Sequence, residues 1–334
     1  MSEKTVLVTD YTWSSTEAEA AVLAAVGAGL VVAETGEEDE LVELVREADG
    51  ILTCFAKVTG RVIRAGERLQ VIGRYGIGTD NIDVAEATRI GIPVTNVPAY
   101  CLDEVAEHAL AFLLALARGV CTYDRGVREG DWSLTRAAPI HRIAGRTLGI
   151  VGFGKIGLTL AGKARGLGLD VIAHDPHVPE AVRDAGVESV SLEALCARAD
   201  FISVHVPLTP ETQGLIGERE LRSMKATAIV INTARGDIVD QDALLEALRK
   251  RWIAGAGIDV FVPERLPADH PLLAQANLVA TPHVAFYSEE SVHDLEVLAA
   301  ENVAAILSGR RPASVVNPEV LELSRWADLD RDQG

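Results

Sequence analysis

The stretch TLGIVGFGKIGLTLAGKARGLGLDVIAHD, residues 147–175, decides the fold of this chain. It begins with a predicted apolar strand, LGIV, which is followed by Gly152, Gly154 and Gly157 at G-x-G-x-x-G spacing. An amphipathic helix pattern and a second apolar strand come next, and Asp175 closes the unit. Three glycines alone are a weak signal, but here they stand in the whole βαβ context of a dinucleotide site.

Each of these residues has a physical role in such a site. Gly152 allows a tight turn, Gly154 lets the backbone approach a pyrophosphate, and Gly157 lets the helix pack closely on the strand. The positive N-terminal end of the helix then faces the anion. Asp175 lies about twenty residues on, where a carboxylate binds the ribose hydroxyls of NAD. We predict NAD rather than NADP, although Asp before Pro also opens turns and Arg183 is close in sequence.

The composition excludes several classes of protein. The 334 residues are 48% hydrophobic and 4% aromatic, which fits an α/β protein with two domains. The formal net charge of −18 disfavours nucleic acid and anionic membranes as partners, but not a small anionic substrate. The four cysteines are scattered without metal-ligand spacing, so we expect reduced thiols, a cytoplasmic protein and no metal. The N-terminus MSEKTVLVTD enters a predicted strand directly, so we expect no signal sequence there, and the most apolar stretch, 109–117, is too short to span a bilayer.

Two α/β units are predicted along the chain. In the first, strands at 5–9, 30–33, 50–53, 71–74 and 93–96 alternate with helices. In the second, six strands alternate with helices: 147–151, 170–173, 201–204, 228–232, 255–258 and 278–280. The fold class is α/β with two doubly wound parallel-sheet domains, a Rossmann domain inserted into a flavodoxin-like domain.

The domain boundaries are predicted where the pattern changes. The nearly all-round apolar helix 103–117 begins the second unit and is expected to be buried between domains or subunits. Near Ala285 the pattern becomes one long helix, 288–307, whose Ala and Leu stripe needs an existing domain to pack on. The charged tail from Leu321 is expected to fray. We predict a discontinuous substrate domain, residues 1–100 and 286–334, and an NAD-binding domain, residues 101–285.

Three polar residues follow strands of the second unit: Arg235, Glu264 and His283. Ligands of open α/β sheets bind beyond these carboxyl ends. Arg binds a carboxylate with two parallel hydrogen bonds. His transfers protons near neutral pH, and a carboxylate beside it orients the ring and stabilises its protonated form. Each residue alone also fits a surface or packing role, but their joint placement beside the cofactor site predicts catalysis.

A series of motifs extends the pattern from Val71 to Pro318. In order they are RYGIGTDNID, NVPA, LGIVGFGKIG, HDP, INTARGDIVD, GIDVFVPE and TPHVAFYSEE. Together they resemble the NAD-dependent D-2-hydroxyacid dehydrogenases, and most of all the C-terminal-binding-protein-like and phosphoglycerate-dehydrogenase-like group. The resemblance is specific for the family and poorly specific for the substrate. It implies hydride transfer between NAD(H) and a small anionic 2-keto or D-2-hydroxy acid.

The resemblance also implies a role for individual residues. Arg235 is implied as the binder of the substrate carboxylate and carbonyl, Glu264 as the partner of the histidine, and His283 as the general acid or base. The substrate-binding loop it implies comprises Arg74, Tyr75, Gly76 and Ile77, with backbone amides of the last three on the carboxylate. The cofactor residues it implies are Gly152, Gly154, Lys155, Ile156 and Gly157 at the pyrophosphate, Asp175 at the adenosine ribose, Val206, Pro207 and Thr212 along the adenosine half, and Thr233, Ala234, Arg235, Asp259 and His283 around the nicotinamide.

Departures from the family patterns limit the substrate. Phosphoglycerate dehydrogenases typically offer an arginine where this chain has TCF at 53–55, ahead of Lys57, which disfavours a phosphorylated substrate. Phe286 stands where corepressor-like members carry a tryptophan, and Glu264 stands where formate dehydrogenases carry glutamine. Selectivity for the substrate side chain is expected from loop residues: Phe55, Tyr75, Trp132, Phe286 and Tyr287. The histidines near the adenosine side are expected to be structural: His174, His177 and His205.

Two other functions stay open at this point. One is an NADH-sensing interaction protein with little turnover, and the other is a dehydrogenase of a non-carbon donor such as phosphite, which shares the Arg, Glu and His arrangement. The resemblance further implies a homodimer formed through the NAD domain, for which the apolar helix 109–117 is a candidate contact. Hinges for a closing motion are expected near 98–101 and Ala285.

Overall fold

The structure, a computed structural model, describes residues 4–137, 139–177, 180, 184–326 and 329. The chain forms two compact units, one of the residues up to Tyr100 together with those from Ser288 onward, and one of Cys101–Tyr287. The described elements, in chain order, are β1 (Lys4–Val8), α1 (Glu17–Ala24), β2 (Ala28–Val32), α2 (Glu38–Leu44), β3 (Gly50–Thr53), α3 (Gly60–Ala65), β4 (Val71–Arg74), α4 (Val84–Ile90), β5 (Val94–Thr95), α5 (Leu102–Ala117), α6 (Val120–Arg128), β6 (Thr147–Val151), α7 (Lys155–Gly166), β7 (Asp170–His174), β8 (Glu188–Ser189), α8 (Leu192–Arg198), β9 (Phe201–Val204), α9 (Glu218–Ser223), β10 (Ile229–Asn232), α10 (Gln241–Arg249), β11 (Gly255–Ile258), β12 (Leu278–Ala280) and α11 (Glu289–Leu307).

The first unit is built on a parallel sheet in the order β2-β1-β3-β4-β5. This order is the flavodoxin-like form of the doubly wound fold. One face packs against α1 and α11, and the other against the apolar sides of α2, α3 and α4. Strands β3 and β4 are therefore buried along their whole length, as expected for strands of a parallel sheet that is covered on both faces.

Helix α11 belongs to the first unit, although it follows the second unit in sequence. Its apolar stripe, which includes Leu295, Ala299 and Val303, is buried against α1, β3 and β4. Val303 packs closely on Gly73 of β4: a Cβ added to Gly73 would lie 2.6 Å from Cγ2 of Val303. The helix begins at Ser288, whose hydroxyl oxygen accepts a hydrogen bond from the Ser291 amide (2.9 Å).

The tail of the chain is ordered further than the sequence predicts. Leu321 and Trp326 are buried in the apolar core of the first unit, and the Trp326 indole N–H donates to the carbonyl oxygen of Gly91 (3.0 Å). The expectation that fraying starts at Leu321 is therefore wrong for residues 321–326. The cause is the tryptophan, because burying one large ring with its N–H satisfied outweighs the charge of the residues around it.

The second unit is built on a parallel sheet in the order β12-β11-β10-β9-β6-β7-β8. The strand order reverses between β6 and β9, which is the switch point where doubly wound folds bind dinucleotides. Strand β8 adds a seventh member to the six predicted strands. Its two residues, Glu188 and Ser189, are exposed, so they carry no apolar signal in the sequence.

Helix α5 packs within the second unit against α7, β10 and β11. Its residues Ala109, Leu110, Phe112 and Leu113 are buried there, and Gly257 of β11 contacts Phe112, where an added Cβ would lie 2.6 Å from the ring. Among the described helices, no single one is long and apolar enough to cross a membrane. The pair α5 and α6, bent by 59°, passes that test of length and composition together.

Candidate active site

The turn between β6 and α7 requires its glycines. Gly152 has a φ of +92°, and a Cβ there would lie 2.7 Å from the carbonyl carbon of His205. A Cβ on Gly157 would lie 2.5 Å from the carbonyl oxygen of Gly152, so only glycine lets α7 start this close to β6. Gly154 has open space within 4 Å of where a Cβ would be. Backbone crowding on one side and open space on the other form a cradle for a pyrophosphate.

Asp175 stands beside this cradle at the end of β7. Its Oδ2 accepts from the Phe153 amide (2.8 Å) and its Oδ1 from the His177 amide (2.9 Å). These two hydrogen bonds fix the carboxylate at the place where the glycine fingerprint predicts a contact to the ribose hydroxyls. Helix α7 has no side-chain cap, which leaves its first N–H groups to an anion. The residues therefore fit NAD; Arg183, which left the choice against NADP open, lies outside the described residues.

The loop after β9 packs against the same turn. A Cβ on Gly152 would lie 2.8 Å from Cγ1 of Val206, and the loop is closed by Thr212, whose hydroxyl donates to the carbonyl oxygen of Pro207 (2.6 Å). At the end of β10, the hydroxyl oxygen of Thr233 is buried without a hydrogen-bond partner among the residues that the structure describes. A buried hydroxyl of this kind fits a position that a ligand completes.

Arg235 lies in the turn after β10, and Asn232 shapes that turn. The Asn232 side chain donates to the carbonyl oxygen of Arg235 (2.8 Å) and accepts from the Ala234 amide (3.0 Å). Gly236 then packs on the loop after β11, where a Cβ would lie 2.6 Å from the carbonyl oxygen of Phe261. The half-buried Arg235 side chain is thereby held where the ends of the neighbouring strands β10 and β11 meet.

Asp259, the residue after β11, organises the loop that carries His283. Its carboxylate is fully buried and accepts from the amides of Val284 and Ala285 (2.9 Å each) and from the Thr281 hydroxyl. Its carbonyl oxygen accepts from the His283 amide (2.7 Å). His283 itself is held at a φ of +57°, in the left-handed region that residues other than glycine rarely adopt. The surrounding hydrogen bonds impose this conformation.

These contacts give Asp259 a structural role in its own unit, because the loop that carries His283 engages both of its carboxylate oxygens. The contact to the nicotinamide that the resemblance implies for Asp259 stays a prediction. His108 of α5, hydrogen-bonded to the Thr281 hydroxyl (3.0 Å), extends the same network and was missed by the sequence reasoning. The available signal was a lone histidine in the apolar run 105–117.

Glu264 and His283 are brought together. The Glu264 carboxylate is hydrogen-bonded to Nδ1 of His283. The histidine side chain is 19% exposed and the glutamate side chain 47% exposed, so the pair lies at the surface of its own unit and can be reached by a ligand. A carboxylate on Nδ1 holds the ring in one tautomer and orientation. This is the arrangement that proton transfer from the other ring nitrogen requires.

Two other histidines of this unit, His205 and His174, have packing contacts. His205 shares a hydrogen bond with the Ser203 hydroxyl (2.8 Å), and burial lowers the pKa of its ring to about 4. Nδ1 of His174 is hydrogen-bonded to the carbonyl oxygen of Val190 (3.0 Å). A ring that stays neutral at pH 7 does not serve as a proton donor there, which supports a structural role for His205.

In the first unit, the loop after β4 places the residues predicted to bind the substrate. The amide of Tyr75 donates to the carbonyl oxygen of Thr53 (2.8 Å), and that of Gly76 donates to the carbonyl oxygen of Arg74 (3.0 Å). These two amides are therefore not available to a substrate carboxylate, contrary to the prediction. The amides of Ile77 and Gly78 have no acceptor among the described residues, and both residues are half-buried rather than buried.

The buried guanidinium of Arg74 lies against the same loop. A Cβ on Gly76, whose φ is +138°, would overlap Nη1 of Arg74 at 1.6 Å. The Asn96 side chain supports the loop from behind, because its amide group donates to the carbonyl oxygen of Ile77 (2.8 Å). The loop is thus held in one conformation, with a fixed positive charge beneath it.

Comparisons with known proteins agree with this geometry. The family model described as D-isomer specific 2-hydroxyacid dehydrogenase, NAD binding domain, matches residues 110–285. The chain is 43% identical over 288 residues to the glyoxylate reductase of Korarchaeum cryptofilum, which covers 85% of this chain and 87% of that protein. The chain belongs to the D-2-hydroxyacid dehydrogenase family. It is 40% identical to the D-3-phosphoglycerate dehydrogenase of Methanocaldococcus jannaschii, over 86% of this chain and 56% of that protein.

Solved structures of the family share the fold. D-lactate dehydrogenase from Aquifex aeolicus, in complex with NAD and lactic acid, superposes with a TM-score of 0.83 at 26% identity, over 96% of this chain and 98% of the other. The dehydrogenase therefore has the two doubly wound domains of its family and uses NAD. It is an NAD(H)-dependent oxidoreductase of 2-keto and 2-hydroxy acids.

Asp259 offers a direct test of the histidine loop. Changing Asp259 to Asn is expected to lower kcat about tenfold or more and to lower Tm. The amide nitrogen of asparagine cannot accept a hydrogen bond, so either the Val284 or the Ala285 amide is left as a buried, unpaired donor. Such a donor lowers the free energy of unfolding by about 1–3 kcal/mol. Steady-state kinetics and thermal unfolding check it. The matched control is Asp49→Asn, another buried carboxylate, which accepts from the Thr5 amide in the first unit. This control should lower Tm and leave kcat unchanged; an equal loss of kcat in both variants would contradict the assignment.

Proposed function

We propose that this dehydrogenase reduces a short, unphosphorylated 2-keto acid, with glyoxylate as the first candidate, and that residues 101–285 bind NAD while residues 1–100 and 286–334 bind the substrate. The observation that carries the proposal is the hydrogen bond between Glu264 and His283, in the same unit as the turn that holds Arg235. The match of residues 110–285 to an NAD-binding domain supports the assignment of the cofactor.

The proposed chemistry divides among three side chains. His283, held through Nδ1 by Glu264, protonates the carbonyl oxygen of the keto acid from Nε2, and takes the proton back in the oxidation direction. Arg235 binds the substrate carboxylate with two parallel hydrogen bonds and polarises the carbonyl beside it. Glu264 holds the ring in one orientation through Nδ1. When bound, NADH would supply the hydride for reduction of the keto acid, and NAD would accept the hydride in the oxidation direction.

The backbone of the first unit supports a second contact to the carboxylate. Since the Tyr75 and Gly76 amides are engaged by the protein, we assign this contact to the amides of Ile77 and Gly78. The guanidinium of Arg74 beneath the loop favours an anion there. Two amides and a buried positive charge suit a carboxylate, whose two oxygens accept from neighbouring donors.

The loop after β3 supports an unphosphorylated substrate. Asp10 holds this loop, because its carboxylate accepts from the amides of Cys54 (3.0 Å) and Phe55 (2.7 Å). In phosphoglycerate dehydrogenases the corresponding segment offers an arginine. Here the segment 53–55 carries no arginine and is held by the Asp10 carboxylate, which disfavours a group of two further negative charges beside it. Curated relatives named glyoxylate reductase favour the smaller keto acid.

The test is NADH oxidation at 340 nm with a panel of 2-keto acids: glyoxylate, hydroxypyruvate, pyruvate, phenylpyruvate, oxaloacetate and longer aliphatic acids. Glyoxylate is expected to give the highest kcat/KM, and Arg235→Ala should abolish turnover. Phosphohydroxypyruvate serves as the phosphorylated comparison, and phosphite is assayed with NAD for the alternative donor. A phosphorylated acid or phosphite as the best substrate would overturn the proposal, as would tight NADH binding without any turnover.

We also propose that the protein is a homodimer formed through the second unit. The apolar residues 109, 110, 112 and 113 of α5 are covered within that unit, so they are not the contact. The segment 120–134 exposes four large apolar side chains, Val120, Val127, Trp132 (78% exposed) and Leu134 (89% exposed), and we propose this segment as the contact because large exposed apolar side chains favour an interface. Light scattering that gives the mass of one chain would contradict this.

A cytoplasmic location is proposed from the cysteines. None of the four forms a disulfide: Cys54, Cys101 and Cys196 are buried, and Cys121 is partly exposed. Burial raises the pKa of the Cys54 thiol to about 12 and that of the Cys196 thiol to about 11, which keeps both unreactive. Free thiols fit a reducing compartment. Titration of the unfolded, freshly isolated protein should find four thiols, and fewer would contradict the proposal.

A further inference from the structure

A buried carboxyl group in the first unit has no role in the chemistry described above. Glu19 of α1 is fully buried. Its Oε1 accepts from the hydroxyl of Tyr75 (3.0 Å) and from the indole N–H of Trp13 (3.2 Å). Its Oε2 is buried without a hydrogen-bond partner among the described residues. A buried carboxyl oxygen that lacks a donor destabilises a fold, and a methionine or leucine would fill this position more favourably.

Tyr75 connects this carboxyl group to the loop that presents the Ile77 and Gly78 amides. The Tyr75 side chain is 1% exposed and its ring makes an edge-on contact with Trp13 at 4.8 Å between centroids. Its selectivity role predicted from the sequence is thereby excluded, because a buried ring does not touch a substrate. The ring instead anchors the loop: the hydroxyl is fixed by Glu19, and the backbone two residues on carries the first available amide.

The titratable group that acts on the surroundings of Glu19 from α11 is another carboxyl group, Glu296. Burial raises the pKa of Glu19, and burial together with the charge of Glu19 raises the pKa of Glu296 to about 7. His293 acts in the opposite direction on Glu296. Burial, the charge of Glu19 and the nearby Cys54 all raise the pKa of Tyr75. Arg74 and Asp10 are the charged neighbours of Cys54. Glu19 has no ion-pair partner among the described residues; besides its own backbone amide, the donors to its carboxyl group are the Tyr75 hydroxyl and the Trp13 indole.

We propose that Glu19 is a positioning residue for the keto acid: it fixes Tyr75 through the tyrosine hydroxyl and so sets the Ile77 and Gly78 amides at the substrate carboxylate. The inference rests on the proposed function, since it takes these amides as the carboxylate contact. This role accounts for a buried carboxyl group that does not stabilise the fold. The second anchor, from Asn96 to the carbonyl oxygen of Ile77, holds the other side of the loop, so loss of Glu19 loosens the loop without unfolding it.

The test compares Tyr75→Phe, Glu19→Met and Glu19→Gln. Phenylalanine removes only the hydroxyl, and methionine has the length of glutamate without an acceptor. Both are expected to raise KM for the keto acid about fivefold to tenfold, the worth of one hydrogen bond, with kcat and KM for NADH unchanged. Glu19→Gln keeps an acceptor for the hydroxyl and should restore a KM near that of the wild type. The double variant Tyr75→Phe with Glu19→Met should be no worse than either single change, because both remove one interaction.

The control for loss of a tyrosine hydroxyl is Tyr123→Phe, whose hydroxyl donates to the carbonyl oxygen of Leu134 in the second unit. It should leave KM for the keto acid unchanged. Three outcomes would overturn the inference alone. They are an unchanged KM in Tyr75→Phe and Glu19→Met, additive effects in the double variant, and an equal fall in kcat and in stability without a change in KM. Absence of keto acid turnover in the wild type would overturn the proposed function, and the inference with it.

Discussion

Replacing His283 with asparagine is expected to lower kcat for keto acid reduction about 10²- to 10⁴-fold, the range supplied by a positioned general acid. Asparagine is the right substitution because residue 283 has a φ of +57°, a conformation that asparagine tolerates better than other residues. The backbone amide can still donate to the carbonyl oxygen of Asp259, so the loop is retained. The loss then reports the imidazole and not a collapsed loop.

Two measurements separate chemistry from binding in this variant. NADH affinity, followed by fluorescence, should fall far less than kcat, because the cradle at Gly152 and Gly154 is untouched. The matched control is His141→Asn, an exposed histidine of the same unit, which should leave kcat and NADH affinity as in the wild type. A His283→Asn enzyme that keeps kcat within threefold of the wild type would remove the histidine from proton transfer.

Most of the fold could be predicted because its strands are continuous apolar runs. The bounds 71–74, 201–204 and 255–258 coincide with strands that are buried along their whole length, and such strands carry their signal in consecutive residues. The bounds 147–151 and 278–280 coincide as well, although the second of these strands lies at the edge of its sheet and is only partly buried. Strand β8 has no such signal because it is a polar edge strand. Trp326 was missed because a single anchoring ring has no periodicity for the sequence to reveal.

The contact between Glu264 and His283 could be predicted, whereas the network behind it could not. Both residues follow adjacent strands, so the topology alone brings them near each other. The buried hydrogen bonds of Asp259 depend on the path of the 281–285 loop, which no sequence spacing determines. The same is true of the Tyr75 amide, whose acceptor, the carbonyl oxygen of Thr53, is set by the register of β3 against β4.

Replacing Arg235 with lysine is expected to lower kcat/KM for the keto acid about 10²- to 10³-fold, although the positive charge is kept, because lysine is a point charge that cannot form two parallel hydrogen bonds to a carboxylate. The turn itself should survive, since Asn232 holds it through the backbone of residues 234 and 235. KM should rise together with a fall in kcat, because the same guanidinium also polarises the carbonyl in the transition state.

Stopped-flow and steady-state assays of Arg235→Lys with glyoxylate, at saturating NADH, test this expectation. The matched control is Arg249→Lys, which changes an exposed arginine at the end of α10 that pairs with Glu246 (3.4 Å). In this control kcat/KM should stay unchanged, because exposed ion pairs contribute little. If charge alone bound the substrate, the Arg235→Lys enzyme would keep kcat/KM within about threefold of the wild type, less than the loss of one ordinary hydrogen bond. The size of the loss therefore distinguishes a two-pronged carboxylate contact from general electrostatic attraction.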